Sequence, residues 1–341
     1  MGTQIGELLE KQEIKLDFLN GRRIGIDSYN ILYQFLSIIR GADGTPLMDS
    51  KGRITSHLTG LLYRTVNLLE AGAFPVFIFD GKPSKLKAET TKARNEIRTS
   101  AEKKFKEAKE KGEKEQARKF AMQSSKLTPE MVEQAKTLLG HMGLPIIQAP
   151  SEGEAQIAQM VDKGDLFGCV SQDFDSLLFG AKKLLRNIAV SGKRKAPGKN
   201  YYYTVSPEMI ELQKSLDALE IDRKKLVWIG ILVGTDFNQK FPKIGPKTAL
   251  RLVKSNDSFE GIIEETGHAP DFDFKEIEQI FLKPPFAQDY KIEFGSPDRE
   301  AIFSMLCDEH NFSKERVESA LNKLEKKADF SSKQSRLSNW G

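Results

Sequence analysis

Short apolar runs alternate with longer amphipathic stretches over the first three quarters of the chain. Four of these runs predict buried strands, because each is brief, rich in aliphatic or aromatic residues, and flanked by Gly, Pro or Asn. The predicted strands are Arg23–Asp27, Pro75–Asp80, Leu144–Gln148 and Gly168–Ser171. Helical spacing of apolar residues follows at Tyr29–Ile39, Leu58–Glu70 and Gly153–Val161. This alternation predicts an α/β fold with a mainly parallel central sheet and helices on both sides.

Residues 85–125 break the pattern, because they are strongly helical in character but carry very few apolar positions. A helix that is polar nearly all round is not built to pack in a core. We therefore predict a projecting, mobile helical insertion after the second strand. From Asp222 onward the chain is more helical, and its last residues are predicted to form a flexible tail. The proposed regions are 1–98, the insertion 85–125, 116–258, 259–330 and the tail 331–341.

Composition excludes several classes of protein. The 341 residues are 39% hydrophobic, enough for a sizeable core. No apolar run approaches the roughly 18 residues that span a bilayer, and acids stand where a signal peptide needs apolar residues. We thus expect no membrane partner and a cytoplasmic location. Two cysteines, Cys169 and Cys307, exclude a disulfide framework and are expected as buried thiols. The four histidines (His57, His141, His268, His310) show no metal-ligand spacing.

The positive charge is unevenly distributed along the chain. Between Lys82 and Lys126 there are 15 Lys or Arg against seven Glu, although the net charge of the whole chain is only +4. A second basic stretch, from Lys182 to Lys199, contains no acid. Clustered cations beside an otherwise acidic body favour binding to a polyanion such as nucleic acid. A solvated helix face with surface ion pairs is the alternative.

Acidic residues stand at or just after the ends of the predicted strands. In an open parallel sheet, ligands bind beyond the carboxyl ends of the strands, so these side chains are expected to meet at one edge. A further acid follows the apolar run that ends at Gly234. The set comprises Asp27, Asp80, Glu152, Glu154, Asp173, Asp175 and Asp236. So many carboxylates at close range require cations, and oxygen ligands without His or Cys suit Mg²⁺ or Mn²⁺.

Each acid taken singly also has a structural explanation. Ser151 with Glu154 fits a capping box, Asp27 fits an N-cap, and Asp173 with Asp175 fits a turn. Acids at every strand end together are better explained by a site in which two metal ions hydrolyse a phosphodiester.

The stretches that carry these acids resemble the structure-specific 5′-nuclease (XPG-type) superfamily, and within it the archaeal-type flap endonucleases. The matching stretches read IGIDSYNILYQFL, TPLMDSKGRITSHLTGLLYR, VFIFDGKPSKLK, APSEGEAQIAQMV, SQDFDSLLFGA, ILVGTDFN and IGPKTAL. The resemblance runs from Ile5 to the C-terminus. One departure is Tyr29, where the family more usually has a small residue.

The resemblance implies roles for particular residues. Asp27, Asp80, Glu152 and Glu154 would hold one Mg²⁺, and Asp173, Asp175 and Asp236 chiefly the second, with Mn²⁺ as a substitute. Lys87 and Arg94 would face the scissile phosphate, where fixed cations stabilise transition-state charge. Tyr33 would stack on a base near the cleaved bond. Residues 85–125 would form a helical arch for a single-stranded 5′ flap.

The resemblance also implies further contacts with DNA and with a protein partner. A helix–two-turn–helix near residues 228–254 would hold duplex DNA through Gly245, Lys247 and Thr248, with a K⁺ ion. The basic residues Lys193, Arg194 and Lys195 are further candidates for binding DNA. The tail is similar to a motif that binds a sliding clamp (PCNA) through Gln334, Leu337 and Trp340, although Gly341 replaces the expected second aromatic.

We therefore expect a monomeric Mg²⁺-dependent flap endonuclease that also acts as a 5′–3′ exonuclease on flap, nicked and branched DNA in replication and repair. A role in Okazaki-fragment maturation is implied by the resemblance. One alternative function is a small-molecule phosphatase, which would need an aspartyl nucleophile and would have no use for the basic insertion at residues 85–125. The other alternative is a catalytically silent protein that binds DNA junctions or serves as a clamp adaptor. The seven acids argue against it, because they would repel the DNA phosphates.

Overall fold

A seven-stranded sheet lies at the centre of the molecule. The structure is a computed structural model that describes residues 3–41, 43–82, 84, 86–189, 192–195 and 202–338. Side chains are described for these ranges except at 88–95, 114–115, 118, 192–195, 202–203 and 327–338. The strands are β1 (Gln12–Glu13), β2 (Arg23–Asp27), β3 (Phe74–Phe79), β4 (Ile146–Gln148), β5 (Cys169–Val170), β6 (Lys183–Arg186), β7 (Gly192–Lys195), β8 (Tyr202–Val205) and β9 (Glu208–Glu211).

Four neighbouring strand pairs of the central sheet are parallel. The strand order is β1-β9-β6-β5-β2-β3-β4, and only β9 pairs antiparallel, with β6 on one side and β1 on the other. Strands β7 and β8 form a separate antiparallel pair. The predicted α/β fold with a mainly parallel sheet is confirmed.

Helices cover both faces of the sheet. They are α1 (Ser28–Ile38), α2 (Ser56–Glu70), α3 (Lys87–Glu110), α4 (Lys114–Gln123), α5 (Pro129–His141), α6 (Gly153–Asp162), α7 (Asp175–Leu178), α8 (Leu212–Leu219), α9 (Arg223–Val233), α10 (Pro246–Ser255), α11 (Phe259–Thr266), α12 (Phe274–Leu282), α13 (Arg299–Phe303) and α14 (Lys314–Ser338). Leu16–Leu19 forms a 3₁₀ turn and Ser304–Glu309 a π-helical segment. Within the described ranges, no helix combines the length and apolar character needed to cross a membrane.

Two hydrophobic cores lie on opposite faces of the sheet, because successive strand side chains point to opposite sides. In β3, Val76 and Ile78 join a core with α6, α7 and α9. Phe77 and Phe79 join the other core, with α1, α2, α5 and the first half of α14. Burial on both faces explains why the sequence of β3 is apolar throughout rather than alternating.

All four predicted strands are present. Arg23–Asp27 has the predicted ends, and the ends of the other three differ by one or two residues. The strand predicted at Leu144–Gln148 begins at Ile146, since Pro145 has no N–H to contribute to a ladder. The strand predicted at Gly168–Ser171 is reduced to two paired residues, Cys169 and Val170. Both cysteines are buried and unpaired, as expected from the sequence.

The basic segment contains two contacting helices, α3 and α4, so its predicted helical character is confirmed over Lys87–Glu110 and Lys114–Gln123. Its buried side chains are mainly small ones, Ala101 and Ala108 on α3 and Ala117 and Ala121 on α4. These alanines belong to neither sheet core. Helix α4 also contacts α1, and just beyond α4 the Ser125 hydroxyl accepts a hydrogen bond from Arg40 at 2.7 Å.

The chain after residue 330 differs from the expected flexible tail over its described part. Helix α14 continues to Ser338, because the stretch from Lys314 contains neither Gly nor Pro to end it. Residues 339–341, which include Trp340, lie outside the described residues.

Candidate active site

The seven acids of the sequence analysis reach one edge of the sheet from five separate chain segments. Asp27 is the last residue of β2, and Asp80 directly follows β3. The other acids lie beside the start of α6, after β5, and after α9. The carboxyl ends of the parallel strands thus bring them together, as the topology rule requires.

Asp27 is both a helix cap and a member of this pocket. Only 7% of the residue is exposed, and its Oδ1 accepts a 3.1 Å hydrogen bond from the amide of Asn30 in α1. Burial, followed by the nearby Asp80 carboxylate, raises the pKa of Asp27 well above its usual value. The N-cap interpretation is therefore correct, and it does not replace the functional one.

Asp80 and Glu152 meet at the start of α6. The amide of Gly153 donates to Asp80 Oδ1 at 2.7 Å, and a Cβ at position 153 would lie 2.8 Å from the same oxygen. The carboxylate can approach this amide closely because residue 153 has no side chain. Burial raises the pKa of Asp80 and that of Glu152, and Asp236 acts in the same direction on both.

Glu154 has an unmet requirement for a partner. Its Oε1 is buried and has no hydrogen-bond partner among the described residues. Burial raises the pKa of Glu154 strongly, and Asp27, Asp175 and Asp173 add to the effect in that order. The capping-box interpretation is wrong, because Glu152 rather than Ser151 occupies the N-cap position of α6 and caps with no side-chain hydrogen bond.

Asp175, the first residue of α7, is 4% exposed and is held by the N-terminal segment of the chain. The amide of Thr3 donates to its Oδ1 at 2.8 Å. Burial, then Asp236 and Asp173, raise the pKa of Asp175 to about 7. A carboxyl with this pKa is only partly ionised at neutral pH unless a cation is bound beside it.

Lys87, the first residue of α3, brings a positive charge to these acids. Its ammonium is paired with Glu152 and lies 3.9 Å from Asp236 Oδ2 and 5.4 Å from the centre of the Phe237 ring. Burial disfavours the charged ammonium, but Glu152 and Asp80 outweigh it and raise the pKa of Lys87. The sequence assigned Lys87 to the site, although its ion pairs with the acids were not foreseen.

The pocket has the chemistry of a divalent-metal site without a closed set of ligands. Among the described residues, no three His, Cys, Asp or Glu side chains form a group arranged to hold a metal ion. The donor set is nevertheless all oxygen, and the Glu154 Oε1 atom has no hydrogen-bond partner among the described residues. Burial, followed by repulsion from neighbouring carboxylates, raises the pKa values of Asp27, Glu154 and Asp175. These residues fit hard divalent cations such as Mg²⁺.

Asn30 and Ser171 connect the acids and were missed by the sequence analysis. Asn30 Nδ2 donates to Asp173 Oδ2 at 3.0 Å, and Ser171 Oγ donates to Asp27 Oδ2 at 3.4 Å. The Ser171 hydroxyl also accepts from the amide of Asp173 at 3.2 Å. The available signal was the position of Asn30, three residues after an acid at the end of a strand, and thus on the same helix end.

Two tyrosines of α1 have different surroundings. Tyr33 is half-buried, and the Arg98 guanidinium lies 4.6 Å from its ring centre. Tyr29 packs edge-to-face on Phe79, with ring centres 6.2 Å apart. Tyr29, for which the sequence suggested no role, therefore contributes to packing beside the pocket.

The other described residues of the predicted site lie on helices or strands or cap a helix, and for several of them only the backbone is described. Helix α10 begins with Gly245 as N-cap, and Lys247 and Thr248 in its first turn are exposed. The backbones of Arg94 in α3, of Lys193, Arg194 and Lys195 in β7, and of Gln334 and Leu337 in α14 are described, but their side chains are not.

Comparisons with known proteins agree with this arrangement. Residues 3–101 match the XPG N-terminal domain and residues 143–236 match the XPG I-region. Flap endonuclease 1 of Thermococcus onnurineus is 52% identical over 342 residues, covering 100% of this chain and 99% of the relative. The solved structure of flap endonuclease-1 from Methanococcus jannaschii is 40% identical, with a TM-score of 0.77 over 97% of this chain and 100% of that one.

A more distant likeness concerns the fold alone. The catalytic core of Rad2, solved in complex with DNA substrate, is 23% identical, with a TM-score of 0.67 over 94% of this chain and 97% of that one. The resemblance stated from the motifs is thus confirmed by relatives that match over their full length. The chain belongs to the flap endonuclease family of XPG-type nucleases.

Proposed function

We propose that this protein cuts branched DNA at the base of a 5′ flap by metal-assisted hydrolysis of a phosphodiester, and that it also acts as a 5′–3′ exonuclease. The observation that carries the proposal is the pocket of seven carboxylates at the carboxyl edge of a parallel sheet, with the Lys87 ammonium beside Glu152. Membership of the family supports roles in DNA replication, including Okazaki-fragment maturation, and in DNA repair.

Two divalent ions, Mg²⁺ with Mn²⁺ as a substitute, are proposed to be held by the acids. One ion would be held by Asp27, Asp80, Glu152 and Glu154. The second ion would be held chiefly by Asp173, Asp175 and Asp236. Bound there, the ions supply Lewis acidity, which lowers the pKa of a water and neutralises charge on the phosphate oxygens.

The cationic side chains of α3 are proposed to act on the scissile phosphate. Lys87 lies in the pocket, with its ammonium 3.9 Å from Asp236 Oδ2, and would face the scissile phosphate. Arg94 lies two turns further along the same helix and would supply a second charge from the same face. Fixed cations stabilise the negative charge that builds up in the transition state.

The contacts that hold the substrate are proposed to be largely independent of sequence. Tyr33 would stack on a base next to the cleaved bond, with residues 85–125 acting as an arch over the flap. The first turn of α10, with Gly245, Lys247 and Thr248, would receive a phosphate of the duplex as part of a helix–two-turn–helix with K⁺. Lys193, Arg194 and Lys195 of β7 would provide three further cations for binding the same polyanion.

A sliding clamp is the proposed protein partner. Gln334 and Leu337 near the end of α14, with Trp340 beyond it, would provide the anchoring side chains. The nuclease itself is proposed to act as a monomer in the cytoplasm.

The decisive experiment measures cleavage of a 5′-labelled flap duplex in Mg²⁺ and in EDTA. We expect Asp80→Ala and Asp175→Ala to abolish cleavage while flap binding persists. Asp162→Ala is the matched control, because this exposed acid lies at the other end of α6 and pairs only with Lys182 in the described contacts, at 2.8 Å. Cleavage by a rigorously purified Asp175→Ala protein, or undiminished cleavage in EDTA, would refute the metal assignment.

A further inference from the structure

Arg186 is the last residue of β6 and lies beside the turn that carries two acids of the pocket. Strand β6 pairs parallel with β5, so its carboxyl end is level with the residues that follow Val170. Those residues form the turn Gln172–Asp175, which contains both Asp173 and Asp175. The matching stretch SQDFDSLLFGA ends at Ala181, and none of the stretches that carry the family resemblance contains Arg186.

The guanidinium of Arg186 holds this turn by two different kinds of contact. Its Nε donates to the backbone carbonyl of Gln172 at 3.3 Å. Its central carbon lies 4.4 Å from the ring centre of Phe174, the residue between the two acids. Arg186 therefore contacts the residue before Asp173 and the residue after it.

Glu208 fixes the orientation of the guanidinium from the neighbouring strand. Arg186 and Glu208 are partners in the β6–β9 ladder, and Arg186 Nη1 donates to Glu208 Oε2 at 3.2 Å. The Arg186 side chain is only 18% exposed and that of Glu208 29% exposed. This ion pair is thus partly shielded from water, which makes it stronger than a pair on the open surface.

The rest of the turn is held from two other parts of the chain. A methyl group at position 6 would lie 2.3 Å from Cζ of Phe174, so Gly6 allows the N-terminal segment to pass directly over the ring. Asn30 Oδ1 accepts from the amide of Gln172 at 3.1 Å. The turn is therefore fixed from α1, from the N-terminal segment and from β6, and Arg186 supplies the contact from β6.

We propose that Arg186 is a positioning residue that sets the separation and direction of the Asp173 and Asp175 carboxylates for divalent metal. The proposal rests on the proposed function, since it concerns the same metal pocket. Arg186 does not touch the carboxylates in the described contacts; it acts through the Gln172 carbonyl and the Phe174 ring. Groups that orient metal ligands from outside typically change metal affinity by about 10- to 100-fold when removed.

A lysine cannot reproduce these contacts. A planar guanidinium can stack on a ring while its edge donates to a carbonyl and to a carboxylate in fixed directions. An ammonium on a flexible stem can keep the pair with Glu208, but it cannot stack in the same way. Arg186→Lys therefore separates the ion pair with Glu208 from the contacts that hold the turn. The variant preserves the positive charge and the strand pairing but releases the turn.

The test is a titration of the DNA-free protein with Mn²⁺. Binding is measured by calorimetry or from the electron paramagnetic resonance signal of free Mn²⁺. We expect Arg186→Lys and Phe174→Leu each to weaken Mn²⁺ binding by about tenfold. The double variant should be weakened by much less than the product of the two effects, because both changes release the same turn. Glu208→Gln should give a smaller loss in the same direction.

Arg22→Met is the matched control, because Arg22 stacks on Phe18 and Phe167, with its central carbon 4.0 and 3.9 Å from the ring centres. It directly precedes β2, at the opposite edge of the sheet, and should bind Mn²⁺ like the wild type. Unchanged Mn²⁺ affinity in Arg186→Lys, with or without a lower Tm, would overturn the proposal while leaving the proposed function intact. A wild-type protein that binds no Mn²⁺ would instead refute the proposed function and this inference with it.

Discussion

Lys87 and Glu152 form an ion pair that joins the first residue of α3 to the residue capping α6. The pair places a lysine of the basic helical segment among carboxylates of the sheet edge. The start of α3 is therefore anchored to the pocket. Any cation that binds Glu152 competes with the ammonium for the same oxygen.

The first prediction concerns Lys87→Met. We expect kcat on a 5′ flap to fall by about 10²–10³, the usual cost of losing one fixed group that stabilises transition-state charge. Affinity for the flap should change little, whereas Mn²⁺ binding without DNA should be equal or tighter, because the competing ammonium is gone. Lys126→Met, which removes only an exposed pair with Glu102 at 3.0 Å, is the control. Weaker Mn²⁺ binding by Lys87→Met would contradict the idea that the Lys87 ammonium and the metal ion compete for Glu152.

The second prediction concerns the pH dependence of stability in EDTA. The pKa of Asp175 is raised from 3.8 to about 7 in the folded protein, so the folded state holds this proton more tightly than the unfolded state. Its contribution to the free energy of unfolding is present at low pH and is lost as the pH rises from about 4 to about 7.

Asp175→Asn lacks this titration, so the Tm of the wild type minus that of the variant should decrease across the same pH range. Mg²⁺ should remove the trend, because bound metal favours the ionised carboxylate. Thermal unfolding of both proteins, with EDTA and with Mg²⁺, measures the effect. A difference in Tm that is independent of pH in EDTA would show that Asp175 is not perturbed as described.

The third prediction concerns Tyr33. Stacking of a base on an aromatic ring contributes about 1–3 kcal/mol, so Tyr33→Ala should weaken flap binding by about tenfold or more. Tyr33→Phe should bind like the wild type, because the ring rather than the hydroxyl makes the contact. Phe18→Ala is the control and should leave flap affinity unchanged. Phe18 is a 36%-exposed aromatic residue just before β2, at the end of the sheet away from the pocket. Equal flap affinities for Tyr33→Ala and wild type would exclude the stacking role.

The fourth prediction concerns stability away from the pocket. His310 is 3% exposed, and its Nδ1 is hydrogen-bonded to Asp49 Oδ2 at 3.0 Å, which ties the segment after α1 to the π-helical segment. His310→Ala should lower the free energy of unfolding by about 1–3 kcal/mol, because it removes a buried hydrogen bond to a carboxylate. His141→Ala, at a half-buried helix end, should cost less. Urea unfolding of the three proteins provides the comparison.

The sheet and the acids of the pocket could be predicted because both follow local rules. Apolar runs bounded by Gly or Pro identified the strands, and parallel topology then required the acids after them to converge. Asp27 shows that a local explanation and a functional one can both hold, since it caps α1 and lies in the pocket.

The supporting contacts could not be predicted, because they depend on tertiary register. Arg186 meets Phe174 only through the pairing of β5 with β6, and Thr3 meets Asp175 across 172 residues of sequence. The capping-box prediction at Ser151 failed because the chain enters α6 one residue later, with Glu152 at the N-cap. Helix α14 extends past the predicted tail boundary because no residue there stops it.

The origin of the acids in segments as far apart as Asp27 and Asp236 has a consequence for biosynthesis. Contacts between such distant segments have a large cost in loop-closure entropy, which makes them slow to form. The local contacts within α3 and within α4 carry no such cost, so these basic helices can form before the acids meet. The acidic pocket is therefore complete only once the whole stretch from Asp27 to Asp236 has folded, and a shorter nascent chain lacks it.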